Sequence, residues 1–153
     1  MKEYFEKNLI DAIKVNHKNL MLLDNLNTKN KDLISFIFLI ESLHRGSMLN
    51  RILENLIMWI APSFARNKDF SMGPFQMKFS FYEKYAKQII CEKELLSIER
   101  CAYVLDSVVK ENNHLSKSEL IKLYHSGSIN DQSYSSFMYV HLYDFYVHYK
   151  NKC

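Results

Sequence analysis

Glycine and proline are scarce in this chain. Average usage of about 7% would give roughly eleven glycines; there are three, with two prolines, in 153 residues. That scarcity excludes collagen-like repeats and flexible low-complexity linkers. Cysteine is equally sparse: Cys91, Cys101 and Cys153 form no CxxC pair, and their number is odd. A disulfide scaffold is excluded, and a reducing compartment is the simpler reading. There is no long apolar run either. The longest, 33–40, is interrupted by Ser35 and is far too short to cross a bilayer. No basic run exceeds a residue or two, and 20 Lys+Arg against 17 Asp+Glu leave a net charge of only +3. This counts against a nucleic-acid partner. The N-terminal stretch carries charges every few residues and has no signal-peptide core. The expectation is a chain that stays cytoplasmic as synthesised, without stable membrane insertion.

What is present is an ordinary globular composition, 48% apolar and 24% charged. It suits a single domain over 1–153, with an N-terminal helix and loop over 1–30 and the core over 31–153. Abundant Leu, Ile, Lys and Glu predict a mainly α fold. Residues 3–24 place Phe5, Leu9, Ile13, Leu20 and Leu23 at helical spacing, and 25–31 reads as a polar loop. Asp32 is positioned to cap the next segment, 32–44, which is apolar on every face until Glu41. Such a helix is central and buried. Ser47 can cap a helix over 48–60, with Leu49, Ile52, Leu53, Leu56, Ile57 and Ile60 directed at the core and Pro62 ending it. Residues 63–78 read as an ordered loop with a short hairpin as the alternative. Helices follow over 79–90 and 92–110. Ser116 and Glu119 form a capping box for a helix that stops at Gly127, and a tyrosine-rich helix covers 133–150.

Three segments carry candidate chemistry. Glu41 is the lone ionisable group between Asp32 and His44, at the C-terminal end of the most apolar helix. Burial and the negative end of the helix dipole both disfavour its carboxylate, as a general acid near neutral pH requires. The competing reading has Glu41 turned outward to pair with His44, Arg45 or Arg51. The second segment is Ser71-Met72-Gly73-Pro74-Phe75-Gln76-Met77. Its glycine lets backbone approach a ligand, Phe75 offers a ring face, and Gln76 offers an amide. The third is Leu123-Tyr124-His125-Ser126-Gly127. There Tyr124 can donate to a carboxyl or substrate, or simply pack with its hydroxyl bonded to backbone.

Taken in order, these segments resemble the lysozyme-like fold of lytic transglycosylases and goose-type lysozymes. Glu41-Ser42 matches that family's catalytic Glu-Ser, 71–77 its Gly-Leu-Met-Gln turn, and 123–127 its Ala-Tyr-Asn-x-Gly motif. Ser97-Ile98 and Ala102-Tyr103-Val104-Leu105 stand where the family places an intervening helix. The resemblance implies cleavage of the glycan strand of peptidoglycan by one catalytic Glu41. Ser71, Gly73, Phe75, Gln76 and Tyr124 would bind the sugar, and no cofactor is called for. It also implies a route to the wall, such as a phage holin or a secretion apparatus. The separation of Glu41 from Ser71 is closer to that of the peptidoglycan glycosyltransferases of penicillin-binding proteins, a family of similar fold. A catalytically inactive binding module for a glycan or a partner protein is the other class.

Other groups have simpler expectations. His141 and His148 lie seven apart, unlike the i, i+3 or i, i+4 spacing that metal ligands prefer on a helix, and suggest no zinc site. Cys91 and Cys101 read as small buried residues. Tyr134, Tyr139, Tyr143, Tyr146 and Tyr149 describe a half-buried last helix that could also line a glycan cleft. Arg45, Arg51 and Arg66 read as a solvated face, or as ligands for a peptide-stem carboxylate. Asp69, just before the Ser71 turn, is the nearest rival carboxyl.

Overall fold

Helix dominates because so few residues forbid it. The computed structural model describes residues 2–45, 48–86 and 91–152. The Ser47 cap, Gly46, the 87–90 end of one expected helix and Cys153 lie outside the described residues. The N-terminal segment forms two helices, α1 (Lys2–Val15) and α2 (His17–Asp24), where one was expected. They break at Asn16, whose side-chain amide donates to the Ala12 carbonyl at 3.0 Å. A side chain that takes a helix carbonyl in this way competes with the backbone ladder.

The central helix, α3 (Lys31–His44), buries every residue from Leu33 to Ile40. Each large side chain removed from water there contributes roughly 2 kcal/mol before entropy is counted. Asn30, rather than Asp32, occupies the N-cap position, with no capping bond from its side chain. Asp32 pairs instead with Lys150 at 3.0 Å. α4 (Met48–Ile60) has the expected length, and Pro62 opens a further short helix, α5 (Pro62–Asn67). Proline suits a helix's first position, where its missing N–H is not needed. A two-stranded hairpin follows, β1 (Ser71–Met72) antiparallel to β2 (Met77–Lys78), with Met72 opposite Met77.

α6 (Phe79–Ala86) leads to a 3₁₀ turn over Glu92–Leu96 and then α7 (Ile98–Glu111), so the helix expected over 92–110 is in two pieces. Ser97 caps α7 by accepting from the Arg100 N–H. α8 (Lys117–Ser126) has both halves of the predicted capping box and ends on Gly127 at φ +77°. α9 (Tyr134–Lys150) closes the chain against α1, α3 and α8. One apolar core runs through α1, α3, α7 and α9. Cys101 belongs to that core, whereas Cys91 is exposed, contrary to expectation.

α4 reverses its predicted orientation. Leu49, Ile52, Leu53, Leu56 and Ile60 are exposed, Ile57 is only partly covered, and among the described residues Met58 is the one it buries. The helix is held from its polar side. Glu54 receives Arg45 at 2.6 Å and the Gln76 amide at 2.8 Å. Both side chains of the ion pair are largely out of solvent, where such a pair is screened least.

Candidate functional site

Glu41 is placed by the last turn of α3, where the Arg45 N–H donates to its carbonyl at 2.8 Å. The side chain is mostly covered. Among the described residues its carboxyl forms no hydrogen bond or ion pair, because Arg45 is committed to Glu54. Burial therefore acts without compensation and pushes the carboxyl up to about 7. The negative end of the α3 dipole acts in the same sense. The reading in which Glu41 pairs outward with Arg45 does not describe this arrangement.

The carboxyl faces a cleft of about 530 Å³, a size suited to a small ligand or a sugar unit. Ser71, Gln76 and Tyr124 line it together with Glu41, so four of the six predicted residues converge. The other two do not. Gly73 is buried at φ +75°, and a Cβ there would stand 1.8 Å from the Leu95 carbonyl oxygen. The close approach that needs glycine is thus to the protein's own backbone, not to a ligand. Phe75 is wholly buried, its ring 5.5 Å from that of Phe38. It has no free face to offer, because the hairpin must bury apolar area to stay on the body.

Two of the converging residues have structural duties. The Tyr124 hydroxyl donates to the Phe75 carbonyl at 2.5 Å, and its ring meets Phe81 edge-on at 5.5 Å. Burial, followed by the nearby Glu41, holds this phenol well above its ordinary range. Gln76 adopts φ +45°, an uncommon value for a residue with a Cβ. Its amide nitrogen donates to Glu54 and, at 2.9 Å, to the Gly73 carbonyl, which closes the turn.

The cleft also holds residues the motifs did not assign. His44, one turn beyond Glu41 on α3, and His125, near the end of α8, flank the Tyr139 ring at centroid distances of 5.6 and 4.2 Å. His125 also meets the Ser135 hydroxyl at 3.1 Å. Burial lowers both imidazoles, and their mutual repulsion lowers His44 further. Both are therefore mainly neutral at pH 7 and can accept protons. The i, i+3 relation of Glu41 and His44 was a readable signal, since such residues share a helix face. Tyr139 alone among the five named tyrosines lines this cleft.

The remaining candidates lie elsewhere. Asp69 accepts from the Ser80 N–H at 2.8 Å and its hydroxyl at 2.7 Å, at the start of α6, and does not line the cleft. Arg66 pairs with Glu83 at 2.6 Å and His141 with Glu6 at 2.8 Å. Among the described residues Glu41 is the one carboxyl in the cleft wall. It has neutral imidazoles beside it and tyrosine rings around it. Such a constellation can deliver one proton to a leaving oxygen and take one back. The chain matches no family model, no curated protein and no solved structure.

Proposed function

We propose that the chain cleaves the glycan strand of peptidoglycan, with Glu41 as the catalytic acid and then base. One observation carries the reading: an uncompensated, mostly buried carboxyl at about 7, in a cleft of sugar size. Near neutral pH about half of such groups hold their proton, which suits transfer to a glycosidic oxygen. Glycosidases that act by two carboxylates need the second within about 5–9.5 Å. Here Asp69 is engaged by Ser80, outside the cleft. The substrate's own 2-acetamido group then serves as the nucleophile, a documented exception to the two-carboxylate scheme. Closure by the muramic acid 6-hydroxyl follows, with its proton passing to Glu41, and leaves a 1,6-anhydro end. The resemblance to lytic transglycosylases supports the same outcome. Ser71 and Tyr139 contact the sugar, while Gln76 and Tyr124 hold the hairpin that forms the cleft wall.

Mass spectrometry of digested peptidoglycan tests this. Hydrolysis adds one water at each cut and anhydro closure adds none. Anhydromuropeptides that disappear with Glu41→Gln are the expected result. No cleavage by the folded wild-type chain would refute it.

A further inference from the structure

Asn30 and Lys117 stand 87 residues apart in the chain, yet the lysine ammonium donates to the asparagine oxygen at 3.0 Å. The contact lies in an open groove of about 660 Å³ that shares no lining residue with the Glu41 cleft. Lys29, Lys31, Lys110 and Lys117 line this groove, and among the described residues no carboxylate does. These lysines are scattered in sequence, so no basic run announces them.

A buried carboxylate holds the groove in shape. Asp106 on α7 is 6% exposed and accepts from the Thr28 hydroxyl, from the Asn30 amide at 3.1 Å and from Lys110 at 2.6 Å. The Thr28 oxygen in turn accepts from the Asn30 N–H at 3.1 Å. Burial opposes ionisation of Asp106, and the bonds from Lys110, Thr28 and Asn30 outweigh it, so the group stays charged at pH 7. Its charge offsets one lysine and leaves the others unmatched. Lys31 donates at 2.5 Å to the Asp24 carbonyl, which is uncharged, and Lys29 forms no ion pair among the described residues. The carboxylates of Asp24 and Asp32 are taken by Lys150. Glu111 and Glu119 do not line the groove, and Glu119 is closed in the α8 capping box.

Two helices begin here. Asn30 precedes α3 and Lys117 is the first residue of α8, so the positive dipole ends of both lie at the groove. Asn30 gives α3 no side-chain capping bond, because its amide is committed to Asp106 and its oxygen to Lys117. Val109 and Leu115 add apolar wall, and low-dielectric walls focus the field of like charges. The lining also chooses among anions. It has lysines and no arginine, which suits tetrahedral phosphates met by point charges rather than planar carboxylates met bidentately. No aromatic ring lines it, so a nucleobase finds nothing to stack on.

We propose that this groove binds a small soluble anion carrying two or more neighbouring phosphates. Several unmatched cations in one groove call for more than a single phosphate. The inference does not depend on the glycan-cleaving reading.

Tripolyphosphate is the probe, titrated calorimetrically into the full-length chain at constant ionic strength, with citrate as the carboxylate control. The expected result is saturable one-to-one binding, tighter than that of citrate by about tenfold or more. Lys29→Gln and Lys117→Gln should each weaken it about fivefold. Lys68→Gln, outside the groove, should leave it unchanged. Lys29 is exposed, so circular dichroism of its variant should match the wild type. Amide chemical shifts give a readout that needs no variant: tripolyphosphate should move the signals of Asn30 and Asn113 and spare those of Gln76 in the cleft. Absence of binding overturns the proposal, as does binding that citrate matches or that the two groove variants leave unchanged. So does tighter binding to duplex DNA, or to vesicles bearing a bisphosphorylated lipid headgroup, than to tripolyphosphate.

Discussion

Replacing Glu41 by Gln should make the protein more stable as well as inactive, and the gain should depend on pH. In the unfolded chain this carboxyl titrates near 4.5; in the fold burial carries it to about 7. Between those values the folded state holds the proton and the unfolded state has lost it, so stability falls as pH rises. Below about 4.5 nothing is lost, and above about 7 the full cost applies. That cost is roughly 3 kcal/mol, or about 6–12 °C in melting temperature for a chain of this size. Gln fills the same space without a proton to lose. Urea titrations of both proteins from pH 4 to pH 8 should therefore give nearly equal stabilities at the acid end. At pH 8 the variant should be the more stable by up to about 3 kcal/mol, while wall cleavage drops by about 10²–10⁴-fold. A stability gap that stays constant across that range refutes the claim that Glu41 is buried without a partner. Full activity in the variant refutes its role as the acid.

Cleavage by the wild-type chain should decline above about pH 7 as Glu41 loses its proton, which a rate profile in buffers of constant ionic strength would show. Asp69→Asn should leave the anhydro products and their rate unchanged, while thermal melts record a loss of about 1 kcal/mol from the weakened contact with Ser80. Gly73→Ala combines a left-handed backbone with a clash at the Leu95 carbonyl. It should cost about 2–4 kcal/mol by chemical denaturation, against little change in affinity for glycan fragments in the molecules that remain folded. Proton NMR titration should find His44 and His125 both titrating below the ordinary 6.5.

Sequence periodicity made α3 legible because its apolar residues leave no face uncovered, and Glu41 was marked by being the exception. The Ser116 box and the Gly127 cap were legible because each is a local hydrogen-bonding arrangement with its own residue types. α4 shows the limit. Its apolar stripe is plain in the sequence, but periodicity says only that a helix has two faces. Which face meets the body is decided by Arg45 and Gln76 reaching Glu54 from other elements. Phe75 fails for a related reason, since residue type cannot say whether a ring faces a ligand or Phe38. The Gly73 signal was real: the turn needs glycine for its φ of +75° and because the Leu95 carbonyl crowds it, rather than for a ligand. The Tyr124 hydroxyl followed the plainer of its two readings and went to backbone.

The attachment of α4 has a consequence for how the molecule opens. α3 contributes seven buried apolar side chains to the core, whereas α4 contributes Met58 and is otherwise tethered through Glu54. Amide protons of α3 should exchange with solvent only when the whole domain unfolds. Those of α4 should exchange through a partial opening of much smaller free energy, in which the Arg45–Glu54 pair parts and the helix lifts away. Because Glu54 also holds the Gln76 amide, the same event frees one wall of the cleft from its support. Slow breathing of an outlying helix and reshaping of the cleft are thus one motion.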